Sequence, residues 1–128
     1  EDALMIDAYL TGMQPVPSPY LVKGKLSEAA SRGMKLFKST GCADCHPAPL
    51  FTDMKPYDLE LGEGQDKGKP IDTPTLVESW RTAPYLHDGR AADMKTIFTK
   101  YNTGNLHGRT TKLSPKELSD LIEYVLSL

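Results

Sequence analysis

Apolar residues recur at helical intervals in four stretches of the chain. The clearest is the last, where Leu118, Leu121, Ile122, Val125 and Leu126 form one stripe behind Ser114, Pro115 and Glu117. Those three are a cap, a first-turn proline and the closing residue of a capping box. Upstream, Met94, Ile97, Phe98 and Tyr101 fall at intervals of three, four and seven behind Asp93, which predicts a capped helix with all four on one buried face. Ser27 opens another helix, with Ala30, Met34 and Phe37 on one face and Ala29, Gly33 and Leu36 beside them, ended by Gly41. The first stretch, Asp2 to Gly12, carries Leu4, Met5, Ala8 and Tyr9 at the same spacing, and Gly12 can close it.

Between these stretches the pattern breaks. Gln14-Pro15-Val16-Pro17-Ser18-Pro19 reads as an extended linker. Residues 1–22 are thus expected to be a helix and proline-rich linker, the tail of a preceding domain, and residues 23–128 the domain proper. From Pro47 to Thr75 no periodicity persists, and Glu60 to Pro70 is especially polar. A loop that long in so small a chain usually wraps something. Pro74 to Trp80 predicts a short helix. The expected class is mainly α, a small helical domain with long irregular loops.

Composition limits what such a domain can bury. Of 128 residues only 39% are hydrophobic, with ten glycines and ten prolines, so the apolar core needs support from a metal, a crosslink or a bound group. A net charge of −2 and a pI near 5.9 give no reason to expect nucleic acid or an anionic membrane as partner. No apolar run is long enough to span a bilayer.

The support is written at Cys42-Ala43-Asp44-Cys45-His46. Two thiols separated by two residues and followed by an imidazole are the attachment signature of a c-type haem. Cys42 and Cys45 would be thioether anchors to one covalent haem, and His46 the proximal ligand of its iron. A thioredoxin-like redox pair would call for a βαβ pattern, which is absent. A structural zinc would need four ligands, and the remaining imidazoles, His87 and His107, stand alone. Both cysteines are used by the motif, which leaves none for a structural disulfide. Haem attachment of this kind takes place outside the bacterial cytoplasm, so an exported, periplasmic setting is expected. The opening at Glu1 lacks a basic and apolar leader and reads as a processed protein or an excised segment.

With the motif go Leu50-Phe51-Thr52-Asp53, Thr73-Pro74-Thr75-Leu76 and Ala83-Pro84-Tyr85-Leu86-His87-Asp88-Gly89-Arg90. On these residues, the chain from Ser27 to Leu128 resembles the second haem domain of the bacterial di-haem cytochrome c peroxidase superfamily. The resemblance implies a mostly helical cytochrome c domain in an exported protein that normally carries two such domains. It also implies a structural role for His87, and a distal methionine or tyrosine near the place where Tyr101 stands. Only one haem motif is present, however, and the peroxide-reducing domain of that superfamily is the other one.

From the residues themselves the distal ligand stays open. His107 sits in a glycine-flanked turn after a helix, from which an imidazole can reach inward. Tyr101, Met54 and Met94 are the alternatives, with core packing the simpler account of Tyr101 and Met94. Trp80, Arg81 and Arg90 are candidates to hold the haem propionates, since an indole N–H and guanidinium forks suit carboxylates.

The function expected is electron transfer through a single haem, with no substrate turned over by this domain and with a redox partner protein or an adjacent haem domain as partner. The rivals are the electron-supplying half of a larger di-haem peroxidase-like enzyme and a ligand-sensing haem with an open distal site.

Overall fold

The structure is a computed structural model that describes residues 2–128. Its centre is a pair of helices, α2 (Glu28–Ser39) and α5 (Pro115–Leu126). Ser27 caps α2 by accepting the Ala30 N–H at 3.0 Å. Ser114 and Glu117 close the capping box on α5, with Pro115 in its first turn. The two apolar stripes meet through Ala30, Phe37, Leu121, Tyr124 and Val125, all buried. Phe37 and Tyr124 pack edge to face at 5.3 Å between ring centres.

The crossing is close because Gly33 faces α5, where an added Cβ would lie 1.9 Å from the Asp120 carbonyl oxygen. The preceding residue, Arg32, grips the buried Asp120 carboxylate with Nε at 2.7 Å and Nη2 at 3.0 Å. That fork, with burial opposing it and Lys116 adding to it, holds the Asp120 carboxyl below its usual range. A depressed folded-state value stabilises the fold above the unfolded value, about 3.9, and the gain is lost as pH falls through the lower folded value. Arg32→Met is therefore expected to lower the urea midpoint most at neutral pH. The gap to wild type should close below about pH 4; a gap independent of pH would mean the pair contributes by packing alone.

The other elements hang on this pair. Helix α1 (Asp2–Gly12) forms as its spacing predicts, yet buries none of its residues. The chain engages the domain again in the proline stretch, where Val16 N–H meets the Glu78 carboxylate and the Ser18 hydroxyl donates to Leu126 O at 2.6 Å. After α2 comes a single turn, α3 (Cys42–Cys45). The long loop holds a small antiparallel pair that the pattern did not announce, β1 (Pro56–Tyr57) with β2 (Ile71–Asp72), in the register Pro56↔Asp72 and Tyr57↔Ile71. Strands of two residues carry no readable alternation. The helix expected over Pro74 to Trp80 is instead a 3₁₀ turn at Ser79–Arg81, tied to α5 by the Ser79 hydroxyl on Val125 O at 2.9 Å.

The helix behind Asp93 starts as predicted, with the Thr96 N–H on the Asp93 carboxylate at 2.7 Å. It then widens. Helix α4 (Met94–Thr96) passes into a π-helix over Ile97–Tyr101. A π turn inserts a residue relative to α spacing, so the expected four-residue face divides. Met94 and Ile97 are buried in the core, while Phe98 and Tyr101 are half-buried beside it.

Candidate haem site

Gly41 adopts φ +87 and lets α2 turn directly into α3. The turn is closed by the His46 N–H on Cys42 O at 2.9 Å, which sets the two thiols one turn apart and His46 immediately below them. All three line one cavity of about 510 Å³, within the usual range of cofactor pockets, about 300–1,000 Å³. Its walls are largely apolar and come from every part of the fold: Phe37 from α2, Leu59 and Leu61 from the long loop, Leu76, Met94 and Ile97.

His46 is 7% exposed, and its Nδ1 stands 2.9 Å from Phe51 O. A carbonyl oxygen only accepts, so Nδ1 carries the proton and Nε2 keeps its lone pair for a metal. The Phe51 carbonyl is held in turn, because Asp53 N–H returns to Cys45 O at 3.0 Å and the Thr52 hydroxyl reaches Thr73 O at 2.6 Å. Burial lowers the His46 pKa against the opposing pull of the Phe51 and Pro74 carbonyls. The neutral imidazole, the form a metal requires, is thereby favoured.

Across the cavity stands His107. The loop that carries it is stitched to the attachment turn: Arg109 N–H donates to Thr40 O at 2.9 Å, and Gly108, at φ +80, lies so close that a Cβ there would be 3.3 Å from Cys42 Sγ. The rings of His46 and His107 have centres 6.4 Å apart and planes inclined at 44°. An imidazole nitrogen lies about 2 Å from a bound metal ion and about 1.2 Å from its own ring centre, so two imidazoles on opposite sides of one ion would have centres about 6.4 Å apart. The observed spacing meets that requirement. Burial, with His46 adding to it, lowers the His107 pKa to about 4. Its Nδ1 is buried without a hydrogen-bond partner among the described residues.

The other residues singled out by the sequence are placed apart from this axis. Met54 is 75% exposed and does not line the cavity. Met94 lines it from the core. Tyr101 does not, its hydroxyl reaching Arg90 O at 3.3 Å and its ring centre lying 5.1 Å from the Arg90 guanidinium and 5.0 Å from the Lys100 ammonium. His87 lines the cavity rim with Nε2 3.8 Å from Asp66. Trp80, Arg81 and Arg90 are not among the lining residues. Arg81 pairs with Glu78, and Arg90 with Glu63 and Asp88, although Trp80 Nε1 and Arg90 Nη2 are buried donors without partners among the described residues.

Two features escaped the sequence reading. Arg109 lines the cavity beside Gly41 and Gly108, and its isolation in a polar turn offered no signal. Leu59 and Leu61 fold in from the polar loop, and their alternation ahead of Gly62 was a readable sign. Among the described residues no three His, Cys, Asp or Glu side chains converge on a point where they could hold an ion. The two facing imidazoles and the paired thiols on one cavity suit a metal held in a covalently attached group, as iron in haem is.

The chain is 32% identical to hydrazine synthase subunit gamma of Kuenenia stuttgartiensis, over 94% of this chain and 47% of that one. It is 28% identical to methylamine utilization protein MauG of Methylorubrum extorquens, over 77% of this chain and 34% of MauG. With the cytochrome c551 peroxidase of Pseudomonas aeruginosa it shares 26% identity over 98% of this chain and 42% of the peroxidase. It thus spans less than half the length of these relatives. A solved structure of Kuenenia stuttgartiensis hydrazine synthase under 20 bar xenon superposes with a TM-score of 0.80 at 28% identity, covering 94% of this chain and 52% of that one. These relatives bear out the likeness to the di-haem cytochrome c peroxidase superfamily that the motifs implied. The mainly helical fold and a covalent haem c follow from the same membership: the family model Cytochrome c matches residues 30–128, and the chain belongs to the cytochrome c family.

Proposed function

We propose that this domain passes single electrons through one haem, joined to Cys42 and Cys45 and held at its iron between His46 and His107. Haem c supplies one-electron chemistry when bound. His46 and His107 would hold the iron, the apolar lining would enclose the ring, and Arg109 would meet a propionate. The observation that carries this reading is the opposed pair of imidazoles at 6.4 Å. With both imidazoles bound, the iron would have no open position, which suits electron transfer rather than binding or turnover of a small molecule. For the propionates, Arg109 is the guanidinium on the cavity lining.

Chain mass should exceed the sequence mass by one haem. Oxidised and reduced spectra should both be low-spin, with a near-infrared charge-transfer band of bis-imidazole iron. A band near the red edge of the visible, the mark of His–Met iron, or a high-spin spectrum would overturn the ligand assignment.

A second reading concerns the parent protein. Relatives more than twice as long, cytochrome c peroxidases among them, match this chain over most of its length. On that basis the domain is the electron-supplying half of a larger, exported di-haem oxidoreductase, with an adjacent haem domain as its redox partner.

A further inference from the structure

The two facing imidazoles are held differently. The His46 ring is anchored through Nδ1 by the Phe51 carbonyl. His107 has no such anchor, since its Nδ1 meets no partner among the described residues. Metal-binding histidines almost always rely on a hydrogen bond at the second nitrogen for their orientation, so something else must aim this ring.

Asn102 is in position to do so. It follows the π-helix directly, is 2% exposed, and lies in a fold where few other polar side chains are so deeply enclosed. Its Oδ1 accepts the His107 N–H at 2.8 Å, and its Nδ2 lies 2.9 Å from His107 O, 2.8 Å from Gly108 O and 2.8 Å from the Thr110 hydroxyl. One amide thus holds both peptide groups that flank the His107 Cα, and with them the direction of its Cα–Cβ bond. Asparagine alone offers both polarities at this length. Aspartate would keep the contact with the N–H but set a carboxylate against two carbonyl oxygens.

We propose that Asn102 is the positioning residue for the distal imidazole, clamping the peptide on either side of His107 in place of the missing ring hydrogen bond. The inference rests on the reading of His107 as the distal ligand.

The test uses haem-loaded protein carrying Asn102→Asp, Asn102→Ala or Thr110→Val, beside wild type and His107→Ala. The readouts are the near-infrared and electron paramagnetic resonance spectra and the rate of cyanide binding. Both Asn102 variants should show a high-spin fraction and bind cyanide at least about tenfold faster, the scale on which such supporting partners act. Added imidazole should return them to the low-spin form. Thr110→Val removes one acceptor with little change of shape and should shift both readouts the same way by less.

A purely structural role would lower the melting temperature and leave the spectrum of the folded protein as in wild type. That result, with His107→Ala altered, overturns the clamp alone. His107→Ala indistinguishable from wild type overturns the ligand reading and the clamp with it. If both Asn102 variants fail to fold, an unchanged spectrum and cyanide rate in Thr110→Val overturn the clamp.

Discussion

Replacing His107 with alanine is expected to convert the haem iron from six-coordinate and low-spin to a form with an open distal position. The loop should survive the change, because Asn102 contacts only the backbone of residue 107 and Arg109 pins the next turn to Thr40. With His107 bound to the iron, an external ligand would have to wait for the imidazole to swing away. If that open state is populated at about 1% or less, apparent affinity is reduced by the same fraction, so cyanide should bind the variant about 100-fold more tightly. His107→Met should remain six-coordinate with a higher reduction potential. His87→Ala is the internal control, since His87 also lines the cavity but is turned toward Asp66 at the rim. Equal cyanide affinity in wild type and His107→Ala, or an open iron in His87→Ala, would remove His107 from the axis.

Gly33→Ala tests the scaffold instead of the iron. Helix propensity alone favours alanine by about 1 kcal/mol. Contact predicts the opposite, because the new methyl would stand 1.9 Å from Asp120 O and 2.8 Å from Tyr124 Cβ. Neither is the movable end of a side chain, so α2 and α5 must part, loosening the Phe37–Tyr124 contact and the Arg32 fork on Asp120. Overpacking of this kind costs about 1–3 kcal/mol, at the upper end when backbone must move. A net loss of about 2 kcal/mol corresponds to a melting temperature lower by about 6–12 °C in a chain of this size. Gly12→Ala, with no atom within 4 Å of the added carbon, should leave it unchanged. A Gly33→Ala protein as stable as wild type would mean that the helix crossing is not set by this contact.

The haem-attachment motif was legible in the sequence because it is a local pattern. Cys42, Cys45 and His46 lie within five residues, and one helical turn suffices to array them. The same holds for the capped ends of α2, α4 and α5, where Ser27, Asp93 and Ser114 bond to backbone only three residues on. Local hydrogen bonds and a 3.6-residue period need no knowledge of the rest of the chain.

Where His107 comes to lie was decided by tertiary structure. His107 was one option among four in the sequence, and 61 residues separate it from His46. Only the packing of its loop on Thr40 and Cys42, with a π turn diverting Tyr101 toward Arg90, brings one imidazole opposite the other. Likewise nothing in the spacing of Asn102 marks it, since its value lies in partners that the fold delivers to it. Contacts closed over long stretches of chain depend on how whole elements dock, and a linear pattern carries no record of that.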